Sequence, residues 1–387
     1  MRPAHALHPL VIALGLAACA SDEPRKAPAD GGGDDVAAEN GGSGDTGTAS
    51  DDAPSQPDTA PATRPGDDQS IRAMLGVDVY FTGAENRRQV DQVVELPPAD
   101  QTFSAINLHL ALDCPDGACD PWDRLGTFGL VLPGDGGATT YVELSRFITP
   151  YGVGHEWDVD VTDLRPLLTG SVTTRVFIDT WVGPGSPYGN GWSVTATFEL
   201  TGGTPPRDVA GVVPVWPDNQ RIVYGDPARP VSDQRPRTTV ALPDGTRTAA
   251  LRTFITGHGQ GNADNCAEFC QKDHTFTVGA TPFTRLVWRD DCVDTAAPGQ
   301  RGTWQYPRAG WCPGAAAHDW TIDLRDLGDL SGRDTLDVAY GVADFENTCR
   351  PDAPTCAGCT LGNDCAWNDS NHTEPNFQVS ALLIAYQ

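Results

Sequence analysis

Two short cysteine loops carry the residues best placed to do chemistry. One is Cys114-Pro-Asp-Gly-Ala-Cys119-Asp-Pro-Trp122-Asp123-Arg124, and the other is Asn265-Cys266-Ala-Glu268-Phe-Cys270. A disulfide across so few residues adds little through chain entropy, because that contribution grows with loop length. Its use is rigidity, which aims the carboxylate beside it; the same spacing also suits plain staples in an exported β protein. Two rigid loops, each presenting a carboxylate, meet a need of hydrolysis: one group is held against a bond and another against a water.

The elements that must hold these loops are strands. Trp192-Ser-Val-Thr-Ala-Thr-Phe-Glu-Leu200 alternates apolar and polar residues, as do Thr174–Trp181, His318–Leu324 and, less strictly, Phe377–Tyr386. Period two with β-branched and aromatic residues marks half-buried strands. Gly, Pro and Asp clusters such as Pro133-Gly-Asp-Gly-Gly137 and Gly183-Pro-Gly-Ser-Pro187 separate them. A short helix is expected only around Asp163–Leu168, where Pro166 limits it. The pattern predicts an all-β chain of packed sandwiches. Gly202-Gly-Thr-Pro-Pro206 interrupts it and suggests two domains, 71–203 and 206–387, with one cysteine loop in each. A cleft between domains, lined from both sides, is a common ligand site.

The first residues speak to compartment. Arg2 precedes the apolar run Leu10–Cys19, shorter than a membrane-spanning helix and shaped like a secretory signal over 1–18. Its end, Leu16-Ala-Ala-Cys19, resembles a bacterial lipobox, which makes Cys19 the expected lipidation site and the envelope membrane the expected anchor. Residues 19–70 are rich in Asp, Gly, Ser, Thr and Pro and read as an acidic disordered tether. A net charge of −26 excludes a nucleic-acid partner, since no basic stripe could neutralise phosphates. Of eleven cysteines, the lipidated one leaves an even set for disulfides. Proximity pairs Cys114 with Cys119 and Cys266 with Cys270, and Cys292 and Cys312 are then expected to pair across a loop. Cys349, Cys356, Cys359 and Cys365 form two further bonds of open connectivity, in preference to a zinc or redox site in an oxidising compartment.

Around the two loops the chain resembles the peptide-N-glycosidase F family. The likeness is carried in order by Cys114–Arg124, Arg146-Phe-Ile-Thr-Pro-Tyr151, Asp160-Val-Thr-Asp163, Thr180-Trp181, Val212–Val215, Leu251–Ile255, Cys266–Cys270, His274-Thr275 and Arg308-Ala-Gly-Trp311-Cys-Pro-Gly314. It runs from about residue 78 to about 325 and weakens toward the end. The resemblance implies two eight-stranded antiparallel jelly rolls side by side. It implies cleavage between an asparagine side-chain amide and the first N-acetylglucosamine of an N-linked glycan, leaving Asp, with no metal or cofactor. It makes Asp123 the essential carboxylate, Glu268 a second acid that helps hold water and the peptide side, and Asp179 the counterpart of a third acid that is Glu in the family. Trp122, Trp181 and Trp311 offer flat faces to pyranose rings, and Arg124, Arg308 and His258 offer hydrogen bonds. The partners implied are N-glycosylated peptides or proteins, met by a monomer.

There are departures. Asp179 is one methylene shorter than the family's Glu, His258 stands where the family has Trp, and the Cys349–Cys365 cluster has no counterpart. A cell-surface lectin on the same scaffold is the alternative, since fold does not decide function. A true glycosidase would leave Asn intact. A copper site would need clustered His and Met, whereas His109, His155, His258, His274, His318 and His372 are scattered and Met74 is the sole Met outside the signal.

Overall fold

Each stretch read as alternating contains a strand, over Trp192–Gly202, Gly170–Ile178, Trp320–Asp323 and Asn376–Tyr386. The computed structural model describes residues 63–219, 221–350, 360–361, 365–366 and 373–387. The expected signal, Cys19, most of the tether and the pairing among Cys349, Cys356, Cys359 and Cys365 lie outside the described residues; Cys349 itself is disulfide-bonded.

The first half carries β1 (Arg64–Pro65), β2 (Gln69–Phe81), β3 (Asn86–Arg87), β4 (Gln89–Leu96), β5 (Gln101–Asp113), β6 (Leu125–Pro133), β7 (Thr139–Ile148), β8 (His155–Asp160), β9 (Gly170–Ile178) and β10 (Trp192–Gly202). One sheet runs β1-β5-β10-β2-β3, with β8 also on β5, and the other contains β7-β6-β9-β4. Arg64 and Pro65 pair with Gln101 and Thr102, so strand pairing reaches back into the stretch expected to be tether and moves its end toward the N-terminus. Composition does not register this, because pairing there uses backbone groups rather than apolar side chains. The short helix expected at Asp163–Leu168 is a 3-10 turn, Thr162–Leu167.

The second half carries β11 (Val209–Pro214), β12 (Arg221–Val223), β13 (Thr238–Ala241), β14 (Thr248–His258), β15 (Asp273–Val278), β16 (Thr281–Leu286), β17 (Ala315–Ala316), β18 (Trp320–Asp323), β19 (Thr335–Val342), β20 (Thr360–Leu361), β21 (Cys365–Ala366) and β22 (Asn376–Tyr386). Its sheets run β11-β22-β14-β18, with β12 on β22, and β13-β19-β15-β16; β17 extends the first half's sheet through β7. The fold is all-β, two jelly-roll sandwiches side by side. Among the described residues every strand pair is antiparallel except β1 with β5 and β20 with β21.

β22 explains how the sandwiches join. Its alternate residues serve different cores: Leu382, Ile384 and Tyr386 enter the first, while Phe377, Val379, Ala381 and Leu383 enter the second. A strand buried on both faces needs apolar residues at every position, which is why Phe377–Tyr386 alternates poorly. Across the same seam lies a charged joint. Arg146 on β7 is 0% exposed and forks onto Glu143, with Nε to Oε1 at 2.7 Å and Nη2 to Oε2 at 2.6 Å. Its Nη1 donates to the Gln378 carbonyl at 2.6 Å and to Thr256 Oγ1 at 3.2 Å, while Ser380 Oγ donates to Glu143 Oε2 at 2.5 Å.

Replacing one partner of such a pair strands the other charge in an apolar seam. Arg146→Met is therefore expected to cost about 3–5 kcal/mol in urea unfolding. The double variant Arg146→Met with Glu143→Leu is expected to recover a large part of that loss; equal loss in both would show that the joint is not what holds the seam.

Candidate active site

The two cysteine loops fold toward one another. All three expected short-range bonds form: Cys114–Cys119, Cys266–Cys270 and Cys292–Cys312. The first loop leaves β5 and is sewn into place before it reaches Asp123. Asp120, fully buried, accepts from the Trp122 amide at 3.0 Å, Arg124 Nε at 2.9 Å and Thr180 Oγ1 at 2.7 Å. Thr149 Oγ1 donates to the Trp122 carbonyl at 3.1 Å and accepts from the Arg124 amide at 2.9 Å, so the backbone on both sides of Asp123 is held. Gly189 lies against this loop: a Cβ there would sit 2.2 Å from the Cys119 carbonyl oxygen, at a φ of 147°.

The second loop follows β14. The Glu268 amide donates to the Gly259 carbonyl at 3.2 Å, and the Glu268 carbonyl accepts from the Ala309 amide at 2.9 Å. The chain that carries Glu268 is thus bonded to the chain that carries Arg308.

Arg308 joins the loops electrostatically. It is 1% exposed; its Nε donates to Glu268 Oε1 at 3.2 Å and its Nη2 stands 4.0 Å from Asp123 Oδ2. The remaining N–H groups reach the Tyr306 carbonyl at 2.8 Å and the Thr303 carbonyl at 2.9 Å. Its planar group lies over the Trp311 ring at 4.7 Å. Tyr151 Oη donates to Asp123 Oδ2 at 2.7 Å, and the Tyr151 amide donates to Gln300 Oε1 at 3.1 Å.

This setting divides the two carboxyl groups. Burial pushes Glu268 up to about 8, helped by the charge of Asp123 and opposed by Arg308. Burial also raises Asp123, but the Tyr151 hydrogen bond and Arg308 work against it. With Glu268 raised to about 8, the pair keeps a proton near neutral pH. One protonated and one ionised carboxyl beside a buried guanidinium can give a proton, take one and stabilise a developing oxyanion.

Other expected site residues fall into two groups. Trp122 and Trp181 are 40% and 54% exposed, so each offers a ring face. Arg124 lies over the Trp122 ring at 5.2 Å while bound to Asp120. Asp179 Oδ1 accepts from Arg88 Nη1 at 2.9 Å, and that guanidinium lies over Trp181 at 4.5 Å and Phe81 at 5.1 Å. Among the described residues no hydrogen bond or ion pair joins Asp179 to Asp123 or Glu268. Trp311 corrects an expectation. It is 3% exposed and its indole donates to the Gly257 carbonyl at 2.7 Å, so it supports Arg308 from beneath and offers no open face. His258 stacks on it with centroids 5.6 Å apart and bonds to Thr256 Oγ1 at 2.8 Å. Burial holds His258 down to about 3, so the ring is neutral and engaged within the protein.

Sequence reasoning had passed over Tyr151, Asp120 and Arg88. Tyr151 ends the block beginning at Arg146, and Asp120 follows Cys119 directly; both positions were visible, but only the fold brings them to Asp123. Arg88 carries no sequence signal at all.

A group with its pKa raised on folding destabilises the native state above its unfolded value. Glu268 ionises freely near pH 4.5 and in the fold near 8, so the unfolded chain binds fewer protons in between and stability falls as pH rises through that window. Glu268→Gln removes this penalty. Its Tm is expected to exceed that of the parent by more near pH 8 than near pH 5, with about 2–4 °C for each kcal/mol. An equal difference at both pH values would show that Glu268 is not held protonated.

Two family models match: "Peptide-N-glycosidase F, N terminal" over residues 129–187 and "Peptide-N-glycosidase F, C terminal" over residues 228–355. The chain is 32% identical over 232 residues to the peptide-N(4)-(N-acetyl-beta-D-glucosaminyl)asparagine amidase F of Elizabethkingia miricola. That match covers 57% of this chain and 63% of the relative, so it spans less than two thirds of the relative's length. Among solved structures, PNGase F of Flavobacterium meningosepticum superposes with a TM-score of 0.65 at 24% identity, covering 83% of this chain and 96% of that one. PNGF-II superposes with a TM-score of 0.60 at 16% identity, covering 83% and 65%. At these identities the superpositions speak to the fold alone.

Proposed function

Because the chain belongs to the peptide-N-glycosidase F family, we propose that it is an amidohydrolase that removes N-linked glycans at the bond between the asparagine side chain and the first N-acetylglucosamine. The observation that carries this reading is one buried guanidinium, Arg308, within 4.0 Å of both Asp123 and Glu268. An amide-like C–N bond needs a nucleophile, a proton for the leaving nitrogen and relief of charge on oxygen. Ionised Asp123 takes a proton from a water as its oxygen bonds to the asparagine carbonyl carbon. Arg308 stabilises the resulting oxyanion. Protonated Glu268 gives its proton to the nitrogen as the C–N bond breaks. The protein keeps Asp, and the glycan leaves as a glycosylamine that then loses ammonia. Tyr151 aims Asp123 and favours its carboxylate form against burial, and Trp122 and Trp181 offer stacking faces to the sugar.

Asp179 acts here by position. Its bond to Arg88 holds the guanidinium against Trp181, which sets the angle of that ring. This replaces the role of third acid expected from the resemblance, and the shorter side chain suits it, since Arg88 meets it at 2.9 Å.

Digestion of a denatured N-glycoprotein in heavy-oxygen water tests the reaction. The expected product is Asp carrying one heavy oxygen at the former site, with the glycan's reducing-end chitobiose intact. An N-acetylglucosamine left on intact Asn would replace this reading with a glycosidase. Asp123→Asn is expected to abolish release through kcat while glycan affinity survives. Unchanged release by that variant would place the catalytic residue elsewhere, and glycan binding without release by the parent would favour the lectin. Release is expected to fall as pH passes about 8, where Glu268 loses its proton.

The protein is further proposed to be exported and held at the envelope membrane through Cys19, on the support of the lipobox-like Leu16-Ala-Ala-Cys19 and the oxidised Cys pairs. Cys19→Ser is expected to move the chain from the detergent phase to the aqueous phase on partitioning; a parent chain found in the aqueous phase would remove the anchor.

A further inference from the structure

A second recess lies apart from the catalytic group, at the end of β14 and β18. Its volume is about 280 Å³, and its walls include Trp288, Trp320, Arg285, Asp290 and His318 over a floor of Arg289 and Asp291. Among the described residues none of these side chains is hydrogen-bonded or ion-paired to Asp123 or Glu268. The link to the catalytic group is through backbone: Arg289 and Arg308 exchange amide hydrogen bonds at 2.8 and 3.0 Å.

The floor is rigid. Arg289 forks onto Asp291 with bonds of 2.8 and 2.9 Å, and it also donates to the Ala316 carbonyl at 3.0 Å and Thr295 Oγ1 at 2.8 Å. The Cys292–Cys312 disulfide clamps the chain immediately after it. The rim is different. Among the described residues, the side chains of Arg285, Asp290 and His318 form no hydrogen bond or ion pair with the protein, and all three are exposed. A pre-set floor with free polar groups above it is the arrangement of a ligand site.

The wall chemistry narrows the ligand. Two indoles, both half-buried, supply flat apolar surface. Burial, followed by the charge of Arg289, lowers the pKa of His318, so its ring is neutral with one donor and one acceptor nitrogen. Arg285 and Arg289 are balanced by Asp290 and Asp291, so the recess carries no net charge and favours a neutral ligand. A group with an apolar face, and with hydroxyls that both donate and accept around its edge, is a pyranose. The volume sits near the lower end for ligand cavities, roughly 300 Å³, which fits one ring and not a chain.

We propose that this recess is a carbohydrate subsite that binds one neutral pyranose of a glycan, separate from the sugar at the scissile bond. The subsite does not depend on the amidase reading, and binding to it raises the local concentration of glycan beside the catalytic group.

The test uses the full chain carrying Asp123→Asn, which keeps turnover out of the measurement. Methyl glycosides of mannose, galactose and N-acetylglucosamine are titrated while the indole N–H resonances are followed by NMR, with Trp288→Phe and Trp320→Phe providing assignments. The expected result is a saturable shift of the Trp288 or Trp320 signal by at least one of the three. Arg285→Ala with Asp290→Ala, both at exposed side chains that the fold does not need, is expected to weaken that binding about tenfold, as loss of two ligand hydrogen bonds would. No saturable shift at Trp288 or Trp320 with any glycoside overturns the proposal, as do shifts confined to Trp122 and Trp181 or tighter binding of glucuronate than of every neutral sugar. Glycan release can be absent while these shifts appear, so failure of the amidase reading and failure of the subsite are separate outcomes.

Discussion

The buried fork between Arg146 and Glu143 is the constraint on which the site depends. Placing both charges in a seam without water is costly, and their attraction offsets that cost only when the geometry is met and the remaining donors and acceptors are used. Here they are used, by Thr256, the Gln378 carbonyl and Ser380, all from the second sandwich. An apolar seam alone would tolerate sliding, since hydrophobic contact has no direction. The fork has direction, so it sets the register of the β7 sheet against the β22 sheet. Asp123 belongs to one sandwich and Glu268 to the other, and a shift near one ångström between reacting groups can cost a large factor in rate.

Arg308 repeats the same physics at the site itself. A cation so deeply buried must be neutralised, and Glu268 at 3.2 Å with Asp123 at 4.0 Å are its charged neighbours. One guanidinium cannot fully compensate two carboxylates that are largely shielded from water. Burial first, and the charge of Asp123 second, keep a proton on Glu268 toward pH 8 against the pull of Arg308. Stability is lost above the unfolded pKa of Glu268 for the same reason, an instance of a site held at the expense of the fold.

Aromatic residues around the site sort by exposure. Trp181 and Trp122 stay exposed with a cation laid against each, Arg88 on one and Arg124 on the other, and each cation is fixed by a carboxylate. Trp311 and His258 pack on each other below Arg308 and close the floor. His258 thus takes part in supporting the buried arginine through Trp311.

The sequence by itself determined the elements and the local geometry. Period-two alternation marked the strands, although Phe377–Tyr386 proved to be buried on both faces, and short spacing predicted the two disulfides that close the carboxylate loops. These follow from interactions within a few residues of each other along the chain. Only the tertiary structure decided the rest. Tyr151 lies 28 residues from the carboxylate it bonds, Arg88 lies 91 from Asp179, and Arg308 lies 40 from Glu268. Whether a tryptophan shows its face or supports an arginine depends on what packs above it, which no local pattern encodes. Burial then set the protonation of Glu268, because the energy of a charge depends on the water removed around it, and that is known only once the chain has closed.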